Sequence, residues 1–370
     1  MNSLCQNMYG RSHYAGGMVF SQPSGKNKQS PFGTSDDRRN PKTTFRLKPK
    51  DAPPPSMPTA DDLIAASRVV SLPMRTAFRG ITVREAMIFS GPAGWGEFAP
   101  FTEYDDAESR VWLAAGIEAA YLGAPEPLRD VVDVNATVPA VSADEVAEII
   151  GRYPGARTVK VKVAQSGQVL ADDVDRVAAA RDLVPTVRVD ANGAWSVDEA
   201  IEAIAAIGDV EYVEQPCRTV EELAEVRRAV SVPIAADESI RRSTDPMRVA
   251  EADAADIAVL KVAPLGGMRS LLKVAARLPM DVVVSSALDT AVGMSSGVAA
   301  AAALPNLHRA CGLGTGAMFT RDVAPSFHVE DGRVALRSVT PMADLPLASA
   351  ERTQWWHDRL RRSHALLVGG

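Results

Sequence analysis

Residues 186–237 read TVRVDANGAWSVDEAIEAIAAIGDVEYVEQPCRTVEELAEVRRAVSVPIAAD. Three short β-branched runs in it each end on a carboxylate, Asp190, Glu214 and Asp237. The stretches between have helical period and open on capping boxes: Ser196 lies three residues before Glu199, and Thr219 three before Glu222. The same alternation extends both ways. Strand-like runs fall at Val131–Thr137, Thr158–Ala164, Thr186–Asp190, Val210–Glu214, Val232–Asp237, Asp256–Val262, Asp281–Ser286 and Leu307–Gly312. Helix-like stretches fall at Asp172–Leu183, Val197–Ile207, Val220–Val230 and Met268–Leu278. Polar residues recur at the strand ends, Lys162, Asp190, Glu214, Asp237, Lys261 and Ser286, at intervals of 28, 24, 23, 24 and 25 residues. One strand plus one helix fits each interval, and eight such units predict a closed (β/α) barrel with its site at the C-terminal strand ends. The rival, an open doubly wound sheet, lacks the G-x-G-x-x-G helix opening that would support it.

The flanks divide the chain. Residues 1–60 carry nine basic and three acidic side chains, net +6, with no apolar periodicity, and predict a disordered basic tail; the remaining residues carry net −12. Residues 61–130 predict an α+β capping module, with strands at Val69–Ser71, Ile81–Phe89 and Gly94–Phe98 and a helix from about Ala107 to Leu122. The barrel is expected over 131–316. A segment over about 317–347, read as a hairpin, is expected to return to the first module and complete it. A body this acidic excludes a nucleic-acid partner bound by phosphate neutralisation. No apolar run reaches the ~18 residues of a membrane span. Three widely spaced cysteines fit a reducing, cytoplasmic compartment.

Three carboxylates on successive strand ends repel one another unless a cation intervenes, and oxygen-only ligation suits a hard ion such as Mg2+, with Mn2+ as a substitute. Asn192, two residues after Asp190, faces the same way and suits a second contact there. Lys160 and Lys162 alternate with valines and so face the barrel interior, ~6.6 Å apart along the strand. Lys261 is expected opposite them. A lysine acting as base near neutrality needs its pKa brought from ~10.4 to ~7, about 4.6 kcal/mol, which burial, a neighbouring ammonium and a divalent cation all favour. Lys–metal–Lys suits proton abstraction beside a carboxylate, through an enediolate.

Thr158-Val-Lys160-Val-Lys162, Val189-Asp190-Ala-Asn192-Gly, Val213-Glu214-Gln-Pro216, Ala236-Asp237-Glu-Ser239 and Leu260-Lys261 together resemble the enolase superfamily, muconate-lactonizing subgroup. The resemblance covers about 62–345 and implies a modified (β/α)7β TIM barrel under an α+β cap. It implies Mg2+ on Asp190, Glu214 and Asp237 and an acid/base pair of Lys162 and Lys261, the lysine-plus-Mg2+ pattern already established for that superfamily. Within the subgroup the chain most resembles the o-succinylbenzoate synthase family of menaquinone biosynthesis, in its short actinobacterial form. Phe78–Glu85, Gly94–Phe101, Gly266-Gly267-Met268 and Ser285–Asp289 carry that likeness. It implies a lyase that dehydrates a succinyl-hydroxycyclohexadiene carboxylate, with Lys162 as base and Lys261 stabilising the anion. The second substrate carboxylate is expected at Ser286 and the backbone near Gly312–Gly314, with Arg188 and Lys160 in support. Phe78 and Arg79 are expected on a lid loop. The alternatives are an N-acylamino acid racemase or dipeptide epimerase, muconate cycloisomerase as a weaker one, and a catalytically silent cation-binding barrel.

Overall fold

The computed structural model describes residues 56–78, 80–241 and 247–369. The first module opens with a short helix α1 (Ala60–Ala65), capped by Thr59. An antiparallel meander follows, β1 (Ser67–Phe78), β2 (Ile81–Gly91) and β3 (Gly94–Phe98) in that order. Helix α2 (Asp106–Tyr121) crosses it with almost no space between backbones: a Cβ on Gly96 would meet the Gly116 carbonyl at 2.1 Å. That contact is why both positions are glycine.

Two strand pieces follow where one run was expected. β4 (Val131–Asp133) pairs antiparallel with β12 (Arg333–Ala335), while β5 (Ala136–Val138) enters the barrel. A run of β-branched residues states the extended conformation but not the partner of each half. Val334 thus pairs with β4 rather than forming the expected hairpin with Phe327–Val329, and only a lone bridge, Glu330 to Arg333, sits between those two segments.

The barrel strands run in parallel register as β5, β6 (Thr158–Lys162), β7 (Thr186–Asp190), β8 (Val213–Glu214), β9 (Ile234–Ala236), β10 (Ile257–Leu260) and β11 (Asp281–Val284). Cys311 and Gly312 close the circle. The Cys311 amide donates to Asp133 O at 2.7 Å and Asn135 N to Cys311 O at 3.0 Å, while Gly312 N donates to Val284 O at 2.9 Å. Seven helical connections link the eight segments: α3 (Val146–Gly151), α4 (Leu170–Arg181), α5 (Val197–Ile207), α6 (Val220–Ala229), the pair α7 (Glu238–Arg241) and α8 (Met247–Glu251), α9 (Met268–Ala275) and α10 (Ala291–Ala303). The architecture is the expected (β/α)7β barrel. Ser196 and Thr219 form the capping boxes their spacing indicated.

Alternation along the strands builds two floors inside the barrel. Outward residues, among them Val159, Val161, Val187, Val189 and Leu260, join the large core against the helices. Inward and low, Tyr212, Ala235, Ile257, Val259 and Val283 form a separate apolar cluster. Inward and high come the charged residues of the mouth.

The chain returns to the first module after the barrel. Thr320 N donates to Pro73 O at 3.0 Å and Ser71 N to Pro346 O at 2.8 Å. A last helix, α11 (Ala350–Gly369), for which the sequence reading had no place, buries Trp356 edge-on against Phe98 at 5.8 Å. Two buried carboxylates of the module then cap barrel helices. Glu118 accepts from Arg269 N at 3.1 Å at the start of α9, and Glu97 accepts from Thr290 N at 3.1 Å and Gly293 N at 3.3 Å at the start of α10. Each satisfies amides a helix terminus leaves open, so cap and barrel are joined through helix ends.

Candidate active site

Strand register sets the mouth. Lys162, Asp190 and Glu214 are successive Cα partners across β6, β7 and β8, so their spacing is that of neighbouring strands. All three are inward and at the C-terminal end. Asp237 follows β9 by one residue and Lys261 follows β10 by one. Lys160, Lys162, Asp190, Asn192, Asp237, Lys261, Ser286 and Gly312 line one open cleft.

The lysines and carboxylates of this mouth are matched. Lys160 Nζ bridges Asp190 Oδ2 at 2.9 Å and Glu214 Oε1 at 2.7 Å. Lys162 Nζ donates to Asp190 Oδ2 at 2.6 Å and to Asn192 Oδ1 at 2.7 Å. Lys261 Nζ lies 2.5 Å from Asp237 Oδ2. Burial pushes Asp190 up, but Lys160 and Lys162 outweigh it and hold the carboxyl well below its usual range. Glu214 goes the other way: burial, and next the Asp190 charge, push it up to about 7 against the pull of Lys160. Lys160 itself is buried, yet its two carboxylates hold its pKa well above the ordinary lysine value.

Backbone strain concentrates here. Six non-glycine residues among those described have positive φ, and four follow the mouth strands: Ala164, Asn192, Gln215 and Leu288. Such conformations cost of order 1 kcal/mol each and persist where surrounding contacts enforce them. At Gln215 the enforcement is visible. Its side-chain oxygen accepts from Asp237 N at 3.0 Å and Ser239 N at 3.2 Å, while its amide nitrogen donates to Ser239 Oγ at 2.6 Å. The residue after Glu214 therefore anchors the backbone that carries Asp237.

The donor set suits a hard divalent cation. Glu214 Oε2 is buried with no hydrogen-bond partner among the described residues, and a buried carboxylate oxygen in that state is costly without a cation. Among the described residues no three His, Cys, Asp or Glu side chains stand as a ready cage; the carboxylates are turned to the lysines, which balance them.

Two expected substrate contacts are corrected. Arg188 lies one step below Asp190 on β7, fully buried under the mouth and outside the cleft. Its guanidinium donates to Glu211 Oε2 at 2.5 Å and Ala310 O at 2.7 Å and stacks on Tyr212 at 4.7 Å. Gly314 is packed against Tyr153 and the Asn135 carbonyl, behind the cleft wall. Lys160 lines the cleft, with its ammonium committed to two carboxylates. Ser286 lines it as well, while its Oγ accepts from Asp289 N at 3.0 Å and from Thr315 Oγ1 at 2.9 Å. The side chain of Phe78 and all of Arg79 lie outside the described residues, as do residues 1–55 of the expected tail.

Cleft residues that the sequence did not single out as site residues are Phe101, Thr137, Glu238, Ser285, Ala287, Leu288 and Thr315. Thr137 was within reach, since it is the inward strand position paired with Lys160. Phe101 and Leu288 are single apolar residues in loops, which carry no periodic signal.

Residues 142–341 match the family model described as enolase C-terminal domain-like, and residues 69–120 match that described as enolase N-terminal domain-like. An o-succinylbenzoate synthase of Mycolicibacterium smegmatis is 58% identical over 318 residues, 84% of this chain and 99% of that protein. Among solved structures, a muconate lactonizing enzyme superposes with a TM-score of 0.62 at 20% identity, covering 79% of this chain and 98% of that one. A member of the enolase superfamily from Roseovarius nubinhibens, complexed with magnesium, superposes with a TM-score of 0.62 at 19% identity, covering 77% of this chain and 96% of that one. At those identities the two structures speak for the fold. Among the described residues no helix is long and apolar enough to cross a membrane.

Proposed function

The chain is an enzyme of the enolase superfamily, and on that premise we propose that it is an o-succinylbenzoate synthase. It dehydrates 2-succinyl-6-hydroxy-2,4-cyclohexadiene-1-carboxylate to 2-succinylbenzoate, a step of menaquinone biosynthesis in the cytoplasm. The observation that carries the reading is the pairing of Lys162 and Lys261 in one cleft, each within 2.6 Å of a carboxylate of the acidic trio. The 58% identity to a named o-succinylbenzoate synthase over nearly all of that protein supports the choice of reaction.

Asp190, Glu214 and Asp237 would hold a divalent cation, Mg2+ or Mn2+. When bound, it supplies positive charge to the substrate carboxylate as negative charge develops there. Lys162 Nζ, as the neutral amine, takes the proton from the carbon bearing the carboxylate. The C–H electron pair is first delocalised into the carboxylate, and it then forms the ring double bond as the C–O bond to the hydroxyl breaks. Lys162 then returns its proton to the departing oxygen, which leaves as water, and the ring is aromatic. Lys261, as an ammonium, stabilises the charge of the anion between the two bond cleavages. Asn192 orients the Lys162 amine through its 2.7 Å hydrogen bond.

The test is direct conversion of the cyclohexadiene carboxylate, followed with and without EDTA. Activity lost on chelation and restored by Mg2+ is expected. A protein inert on that substrate that racemises N-succinylamino acids would overturn the reading in favour of the racemase, which uses the same proton abstraction. A protein that binds Mg2+ and turns over neither would favour a cation-binding barrel.

A further inference from the structure

Arg84 lies at the middle of the capping module, on β2, yet its guanidinium ends beside the cleft. It is 3% exposed. Its Nε donates to the carbonyl of Leu288, 204 residues away on the loop after β11, at 3.1 Å. Its Nη2 donates to Ala99 O, and the guanidinium sits over the Phe101 ring, 4.5 Å from the centroid. Phe101 and Leu288 both line the cleft, one from the cap and one from the barrel. A single buried cation therefore touches both apolar walls.

Leu288 has φ +63, a conformation a leucine rarely adopts without restraint. The turn around it is fixed by short-range bonds as well. Ala287 N donates to Asp289 Oδ2 at 3.0 Å and Asp289 N to Ser286 Oγ at 3.0 Å. None of these reaches the Leu288 carbonyl, which is held from the other domain by the planar fork of Arg84.

We propose that Arg84 is a positioning residue: it fixes Phe101 and Leu288 at the separation that clasps the apolar ring of the substrate. The proposal rests on the reaction proposed above for its kinetics, though not for its structural readout. The contacts of Arg84 are with the Leu288 and Ala99 carbonyls and the Phe101 ring, so its loss should act on the binding of substrate more than on the proton transfers.

The experiment compares full-length wild type, Arg84→Met and Arg84→Lys, with Arg352→Met as control. Arg352 pairs with Glu85, the neighbour of Arg84 on β2, at 2.7 Å and outside the cleft. Hydrogen–deuterium exchange over residues 286–290 and the division of any kinetic loss between KM and kcat are measured together. Arg84→Met is expected to raise exchange in that segment about tenfold and KM about tenfold, with kcat within about threefold. Arg84→Lys, keeping the charge without the fork, is expected to fall between, and Arg352→Met to leave both readings at wild type. Unchanged exchange and KM in Arg84→Met, with only a lowered Tm, would overturn the proposal. Should Arg84→Met fail to fold, Arg84→Lys decides on the same two readings. A wild-type protein inert on the cyclohexadiene carboxylate refutes the reaction alone, and the exchange measurement still decides the role of Arg84.

Discussion

Replacing Lys160 by methionine separates two roles that its position combines. The substitution keeps the length of the stem and deletes an ammonium 2.9 Å from Asp190 Oδ2 and 2.7 Å from Glu214 Oε1. In protein stripped of divalent cations, that ammonium is a counterion for two buried carboxylates. Breaking a buried pair costs about 3–5 kcal/mol when the remaining charge cannot relax. Glu214 has an outlet, since its carboxyl is already pushed up to about 7 and takes up a proton near neutrality. We therefore expect a loss of about 2 kcal/mol, or roughly 4 °C in Tm.

With a divalent cation the sign reverses. A cation held by Asp190 and Glu214 would stand on the order of 5 Å from Lys160 Nζ. Charges of +2 and +1 at that distance repel by about 7 kcal/mol at an effective dielectric of 20. If a quarter of that survives relaxation, Lys160→Met binds Mg2+ more tightly by about 1.5–2 kcal/mol, a factor of ten or somewhat more. Calorimetric titration of Mg2+ into EDTA-stripped protein reads the affinity, and melting with and without Mg2+ reads the linkage. The expected pattern is a stripped variant that melts below wild type and gains more from Mg2+ than wild type does. A variant that binds Mg2+ no more tightly than wild type would refute the reasoning, because the cation would then not share the oxygens that Lys160 bridges.

Lys162→Ala should lower turnover on the order of 10^3-fold with the far-ultraviolet circular dichroism unchanged, whereas Lys261→Ala should lose on the order of 10^2-fold. Full turnover by Lys162→Ala would remove it as the base. Glu97, pushed up to about 8 by burial and next by Asp289, should weaken the fold as pH rises. Between the ordinary carboxylate range and pH 8 the unfolded chain has released this proton and the folded chain has not, so stability falls across that window. Glu97→Gln should therefore show a flatter denaturant midpoint from pH 5 to 8 than wild type, and parallel curves would sink the assignment. Removing residues 1–55 should leave kcat, KM and Tm unchanged. Extending the cut beyond Thr59 deletes the α1 cap and the Pro58 carbonyl, 2.8 Å from His364 Nε2, and should lower Tm by a few degrees.

What the sequence made legible follows from periodicity. A βα interval in the twenties and a period of two along each strand are enough to bring Lys162, Asp190, Glu214, Asp237 and Lys261 to one barrel mouth, because strand pairing leaves their side chains little choice of direction. Periodicity tells direction but not depth. Arg188 points inward as Asp190 does, yet it lies two residues lower, where the partners are Glu211, Tyr212 and the Ala310 carbonyl. Ser286 lines the cleft, while its bonds to Asp289 N and Thr315 Oγ1 arise from a turn the sequence does not announce. Arg84 was quoted only within the likeness of its segment, since an arginine on a strand that packs on one face reads as a solvent-facing charge. Its role depends on a contact across 204 residues.

The two halves of the cleft are built by different means, and they should respond differently to change. On the barrel side, Lys162, Asp190 and Glu214 stand in register on three adjacent strands. Moving any of them requires the sheet to move, and the strained residues one or two positions after them show contacts strong enough to hold unfavourable φ values. Among the described residues, the cap side has no such set of cleft residues in strand register. Phe101 follows β3 in a loop, and the cap meets the barrel through side chains that reach helix ends and carbonyls: Glu118 to α9, Glu97 to α10, Arg84 to Leu288. Bonds of this kind are worth about 1–3 kcal/mol each, so single substitutions can shift the cap without unfolding the barrel. Cap substitutions should therefore change KM and substrate preference before they change the proton-transfer steps. Substitutions at the strand ends should do the reverse.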